Sequence, residues 1–185
     1  MLLIPSREND GGDNISKSSV TIAKKGASDT FREPNLEDGA EVWKLIKNTG
    51  VLDLNSSYSY LMWCQNFSET SVVIEGDQGI VGFVSGYIKP DAPDTLFIWQ
   101  VAVSETQRGK GFASRMLHHI LERDACKNIQ YVEATVSPSN IPSQKLFHGI
   151  ARNLDTKIEV SPCFTAEDFP AKGHEDELSH LIGPF

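Results

Sequence analysis

The chain is poor in cysteine, has no long apolar run and carries no excess of positive charge. Its three cysteines, Cys64, Cys126 and Cys163, are widely spaced and odd in number. Neither a disulfide framework nor a cysteine metal site is therefore expected. The longest apolar stretches, such as Leu96–Val103, fall far short of the roughly 20 residues needed to span a bilayer. The opening Met1-Leu2-Leu3-Ile4-Pro5 is too short for a signal-peptide core and has no basic residue before it. With 25 acidic against 17 basic residues the net charge is −8, which argues against a broad surface for nucleic-acid phosphates. A cytoplasmic protein with reduced thiols is expected, bound to neither membrane nor nucleic acid.

What is present is enough for one domain. The length is 185 residues, with 39% apolar and 23% charged side chains, values that suit a soluble globular core. Residues 1–28 are polar, with Gly11-Gly12 and no sustained periodicity, and read as a flexible leader. Residues 29–185 read as the domain. Thr30–Arg32 is a first strand, and Leu36, Ala40, Val42, Trp43 and Ile46 follow at helical spacing up to Gly50. Ser57 is placed to cap a second helix through Phe67, with Ser71–Glu75 and Ile80–Lys89 forming a hairpin over Gly76-Asp77-Gln78-Gly79. After a turn at Pro90–Asp94, Leu96–Val103 is a strongly apolar strand. Phe112, Met116, Leu117, Ile120 and Leu121 mark an amphipathic helix to about Cys126. Tyr131–Val136 is a strand, Pro142–Arg152 a helix, and Lys157–Ser161 a last strand before a loop-rich end. The order predicts an α/β domain with a mixed, mostly antiparallel sheet flanked by helices.

The chemistry is concentrated between the apolar strand and the helix after it, in Gln107-Arg108-Gly109-Lys110-Gly111-Phe112-Ala113. Glycines let backbone approach a ligand closely, and the helix start presents unpaired N–H groups. With Arg108 and Lys110 beside them, these donors suit an anion such as a pyrophosphate. The stretch lacks the Lys-Ser/Thr ending of a Walker A loop. It also lacks the third glycine and the strand order of a dinucleotide fingerprint.

Arg108-Gly109-Lys110-Gly111-Phe112-Ala113 resembles the Arg/Gln-x-x-Gly-x-Gly/Ala signature of the GNAT superfamily of N-acetyltransferases. The strand before it, the helix after it, and Ser139-Asn140 opening a further helix stand in the order of that family, from about Phe31 to Val160. The resemblance implies acetyl-CoA as co-substrate, with the amides of Arg108, Gly109, Lys110, Gly111, Phe112 and Ala113 on its pyrophosphate. It implies that the backbone of Val101, Ala102 and Val103 pairs with the pantetheine arm, while Asn140 and the helix carrying Phe147 line the other side. Further segments are similar to the branch of the superfamily that acetylates L-2,4-diaminobutyrate on its γ-nitrogen in ectoine biosynthesis, a response to osmotic stress. They include Asp53-Leu54-Asn55-Ser56-Ser57-Tyr58, Phe97-Ile98-Trp99-Gln100 and His174-Glu175-Asp176-Glu177. This branch implies a homodimer.

Two features depart from the family pattern. Many members carry a glutamate base on the strand before the loop, where this chain has Phe97. Many carry a tyrosine acid in the helix after Asn140, where this chain has Leu146-Phe147. An alkylammonium, with a pKa of about 10.4, still needs a proton acceptor before it can attack. Four candidates for catalysis and substrate binding remain open: Glu133, Asp53, Tyr58 and His174. Each also has a plainer reading. Glu133 can face solvent, Asp53 can cap a turn with Asn55, Tyr58 can be a packed or surface aromatic, and His174 can be a solvated residue of the C-terminal segment. Trp99 is either a core residue or an aromatic wall against a cationic substrate. His118-His119 has the wrong spacing for a metal, and none is expected.

Overall fold

A computed structural model of the chain describes residues 29–50, 52–170 and 172–185. The leader expected over residues 1–28 lies outside the described residues. Within them the chain order is β1 (Thr30–Arg32), α1 (Gly39–Thr49), α2 (Ser57–Asn66), β2 (Val72–Gly76), β3 (Gly79–Lys89) and β4 (Ala92–Val103). There follow α3 (Phe112–Leu121), β5 (Tyr131–Val136), α4 (Ile141–Asn153), β6 (Ile158–Phe164) and β7 (Glu177–Ile182).

Local signals explain most of these bounds. Helix α1 buries Val42, Leu45 and Ile46 and stops where Gly50 turns left-handed at φ 65°. Ser56, one residue earlier than expected, caps α2 by accepting the N–H of Ser59. The turn before β4 is shorter than predicted, so the strand already starts at Ala92. Pro93 is tolerated there because pairing with β5 begins only at Thr95. Helix α3 ends at Leu121 rather than near Cys126. Arg123 turns to extended backbone, and its guanidinium donates to the carbonyls of Ser68, Glu69 and Ser71. Asp124–Cys126 then forms a separate 3₁₀ turn.

Strand β7 is the element that sequence patterning missed. It inserts between β5 and β6, giving the sheet order β1-β2-β3-β4-β5-β7-β6. Every neighbour pair is antiparallel except β4–β5, so the mixed, mostly antiparallel α/β architecture read from the sequence is the observed one.

Two departures from regularity shape the centre of this sheet. The parallel ladder runs only from Thr95↔Tyr131 to Ile98↔Ala134. Beyond it β4 stays with β3 while β5 stays with β7, and a cleft opens between the two parallel strands. At the same level, Ser85 faces Gln100 but Gly86 faces Ile98. Trp99 is therefore an extra residue, a bulge of the kind that re-aims side chains beside active sites.

Helices α3 and α4 cover one sheet face, packing Met116, Leu117 and Ile150 against Leu96, Ile98 and Val132. Helices α1 and α2 cover the other, with Ile46, Tyr60 and Trp63 against Val73, Phe83 and Ala102. The bulge moves β4 out of simple alternation, so that Ile98 and Val101 both pack with the α3–α4 core while Ala102 belongs to the α1–α2 core.

Candidate active site

The glycine-rich loop opens directly into the cleft. Gly109 and Gly111 sit at φ 78° and 73°, backbone that favours glycine. A Cβ added at either would meet nothing within 4 Å, so the space before them is open. Gly111 is the N-cap of α3 and offers no side-chain acceptor to the first turn. The first helical bond runs from Arg115 N–H to Gly111 O at 3.1 Å. The donors of Phe112, Ala113 and Ser114 are thus left for a ligand.

The cleft itself has a volume of about 760 Å³. Val101, Ala102, Val103, Arg108, Gly109, Gly111, Phe112, Ala113 and Asn140 line it, all of them residues singled out from the sequence. Among the described residues Arg108 is the one charged side chain of the lining; the rest is apolar, hydroxyl or amide. A basic mouth on a neutral channel suits a ligand with an anionic head and a long uncharged arm. Past Ile98 the edge of β4 that faces β5 has no strand partner among the described residues, so its backbone groups are available to such an arm. Asn140 acts through structure as well, since its side-chain oxygen caps α4 by accepting Ser143 N–H at 3.1 Å.

One cofactor expectation needs correction. Phe147 is buried in the α3–α4 core; the helix phase turns its neighbour Leu146 to the cleft instead. Lys110 is exposed beside the loop and bonds the Gln107 side chain, while Gln107 itself lines the cleft. Sequence reasoning also missed Thr49, Leu52, Ser114, Ser137 and Ser139 in the lining. The one usable signal was Ser137 and Ser139 flanking Pro138 at the end of β5.

On the α1–α2 face, five aromatics gather beside the bulge. Trp63 has ring contacts at 4.7 Å with Phe67, 6.3 Å with Tyr87 and 6.2 Å with Trp99, and Tyr87 meets Phe97 at 5.3 Å. Trp99 is 52% exposed, which rules out the core reading and leaves its face open to a cation. Asp53 is exposed in the loop before α2, where its backbone carbonyl accepts the Gln100 side-chain N–H at 2.9 Å. Its neighbour Leu52 lines the cleft. Tyr58, in the first turn of α2, is 72% exposed.

The remaining candidates lie on the β5–β7 side. Glu133 is committed: Lys89 Nζ lies 2.8 Å from one carboxylate oxygen, and Ser179 Oγ donates to the other at 2.8 Å. Both of its oxygens are thus already engaged within the sheet. His174 stacks on Phe169 at 4.4 Å, in the segment between β6 and β7. That segment reaches the cleft rim, where Glu175 accepts Ser139 N–H and Glu177 accepts the Ser137 hydroxyl, both at 3.0 Å.

No thiol is poised for attack. Burial pushes Cys64 up to about 12 and also raises Cys126. Partial cover raises Cys163, with the Glu133 charge adding to it. Thiols held protonated are weak nucleophiles.

Residues 40–150 match the acetyltransferase (GNAT) family. The chain belongs to that family. An L-2,4-diaminobutyric acid acetyltransferase of Virgibacillus pantothenticus is 56% identical over 151 residues, covering 82% of this chain and 95% of the relative. One from Marinococcus halophilus is 52% identical, covering 84% and 90%. Among solved structures, diaminobutyrate acetyltransferase EctA from Paenibacillus lautus, in complex with its substrate L-2,4-diaminobutyric acid and coenzyme A, has a TM-score of 0.83 at 42% identity. That likeness covers 86% of this chain and 96% of the other. Among the described residues no carboxylate, imidazole or phenol belongs to the lining of the cleft.

Proposed function

We propose that this chain transfers the acetyl group of acetyl-CoA to the γ-amino group of L-2,4-diaminobutyrate, giving Nγ-acetyl-L-2,4-diaminobutyrate and CoA, as a step of ectoine biosynthesis under osmotic stress. The observation that carries this reading is the likeness to the Paenibacillus lautus enzyme, which extends over 96% of that chain. The residues present fit the coenzyme. The first-turn amides of α3 and the Arg108 guanidinium would hold its pyrophosphate, and the unpaired edge of β4 from Trp99 to Val103 would hold its pantetheine arm. When bound, the coenzyme supplies an activated thioester carbonyl.

The chain's own work is to orient and to move a proton. Backbone N–H groups around the Trp99 bulge polarise the carbonyl as charge develops on its oxygen. The γ-nitrogen attacks, the N–C bond forms, the C–S bond breaks and CoA leaves as the thiolate. We assign Asp53 to the ammonium of the substrate, Tyr58 to a hydrogen bond near it, Trp99 to the wall along its aliphatic chain, and His174 to the rim. Asp53 and His174 are the candidate proton acceptors. Transfer is direct, since every thiol is held protonated.

We further propose a cytoplasmic homodimer. Edge strand β6 is exposed along nearly its whole length, with Val160 45% and Phe164 50% exposed, a surface that suits pairing with a second copy. The test of function is thiol release with diaminobutyrate against other small amines, with NMR of the product. Release with diaminobutyrate and an Nγ-acetyl product is expected; preferential turnover of another amine overturns the assignment. Sedimentation should give twice the chain mass. Expression in a halotolerant strain lacking its own enzyme should restore growth at high salt.

A further inference from the structure

We infer that Gln100 is a positioning residue, tying the loop that receives the amine to the bulge where acetyl transfer takes place. The inference rests on the acceptor assignment above and adds a residue to it.

Gln100 follows the bulged Trp99 on β4 and is 8% exposed. Its Nε2 donates to the backbone carbonyl of Asp53 at 2.9 Å, across 47 residues of sequence. The carbonyl fixes the orientation of the amide, because only its NH₂ end can donate. Among the described residues no other hydrogen bond joins residues 52–56 to the sheet; Asn55 N–H goes to Tyr60 Oη at 3.2 Å, and Ser56 bonds within its own helix start. Leu52 packs against the α1–α2 core, and this one amide supplies the directional link between the Asp53 backbone and the bulged strand.

The other end of the same side chain is unusual. Among the described residues Gln100 Oε1 is buried without a partner, and so is the hydroxyl of Ser85, its register partner on β3, which is fully buried. Buried polar atoms are almost always paired, and leaving one unpaired costs stability. An aliphatic residue on β4 would avoid that cost, so stability alone does not explain a glutamine here. What it supplies is a geometric link from the bulge to the acceptor loop. A small misplacement of substrate-holding groups is enough to lose rate and selectivity.

The test uses the full chain with Gln100→Leu and Gln100→Glu, neither of which keeps the N–H donor. KM for diaminobutyrate should rise about tenfold, the worth of one buried hydrogen bond. The Kd for CoA by calorimetry should stay within about twofold, and NMR should show α-acetyl product appearing beside the γ-acetyl product. Thermal melts check folding, and Gln100→Glu carries the measurement if Gln100→Leu does not fold. An unchanged amine KM in a folded variant overturns the inference, and so does an equal loss of CoA affinity. If the wild-type enzyme prefers another amine, the acceptor assignment fails, and the same comparison with that amine still tests Gln100.

Discussion

Lys89 and Glu133 meet at 2.8 Å across the width of β4, joining two strands that are not neighbours in the sheet. The register sets Tyr87, Phe97 and Glu133 in one row, so the ion pair stands on the same face as the acceptor aromatics. Both Glu133 oxygens are engaged, by Lys89 and by Ser179. The pair ties β5 to β3 at the level where β5 begins to part from β4. Glu133→Gln should therefore keep kcat within about threefold while lowering stability by about 1–2 kcal/mol, between the limits for exposed and buried pairs. A large loss of kcat in a stable variant would return Glu133 to the proton path.

The same pair gives a pH signature. The Lys89 ammonium is held above its ordinary value chiefly by its hydrogen bond to Glu133, with partial burial opposing. A raised lysine contributes stability that is complete below its unfolded value, about 10.4, and is lost as pH climbs through the higher folded value. The stability gap between wild type and Glu133→Gln should be flat from pH 7 to 9 and close above pH 10. Denaturant midpoints measured across that range check it; a gap that closes toward acid instead would contradict the assignment.

Gly111→Asp tests the anion loop with the least risk to the fold. The added Cβ has no neighbour within 4 Å, and aspartate tolerates the left-handed backbone at φ 73° better than most residues. Its charge would lie where the pyrophosphate is assigned. Binding of CoA should weaken at least tenfold, about 1.4 kcal/mol, with the melting cooperativity kept. Unchanged affinity in calorimetry would remove the loop from the cofactor site.

Leu146 and Phe147 are adjacent in sequence and opposite in consequence. Leu146 lines the cleft and Phe147 fills the core. Phe147→Ala should cost about 3–5 kcal/mol of stability, read from denaturant unfolding. Leu146→Ala should cost much less stability and should raise KM for acetyl-CoA. The reverse outcome would mean that the helix phase at the cleft is wrong.

These adjacent residues also mark how far the sequence was legible. The glycine loop, the flanking strand and the Asn140 cap were readable because each is a local signal: left-handed glycines, an apolar run, a side chain that caps. Phe147 was misread because a resemblance indicates a helix but not its phase to within one residue. The sequence marks Trp99 as an aromatic of an apolar strand, and only the three-dimensional register reveals that it is an extra residue. Strand β7 was missed because its pattern is broken by His180, a polar residue turned inward at 3% exposure with Nδ1 at 3.0 Å from Leu178 O. Gln100 gave no signal at all, since a glutamine in an apolar strand does not say which distant loop it holds.

The most informative substitution is Asp53→Ala. Diaminobutyrate carries an α-carboxylate beside one ammonium and a second ammonium at the far end of a short chain. To acetylate only the γ-nitrogen, the site must hold the α end and leave the γ end at the bulge. Asp53 is the exposed carboxylate of the loop next to that point, fixed through its own backbone by Gln100. Once the amine is bound and water is displaced, losing this counter-charge should cost about 2 kcal/mol or more, roughly 30-fold in kcat/KM. If Asp53 only binds, the loss should fall on the KM for diaminobutyrate; if it also accepts the proton, kcat should fall with it. We expect both to change, with KM carrying the larger share, because the counter-charge acts first in holding the substrate's ammonium. NMR of the wild-type product should show acetyl on the γ-nitrogen alone, and the variant should yield a mixture. Full activity of Asp53→Ala on diaminobutyrate, or α-acetylation by the wild type, would overturn this pose.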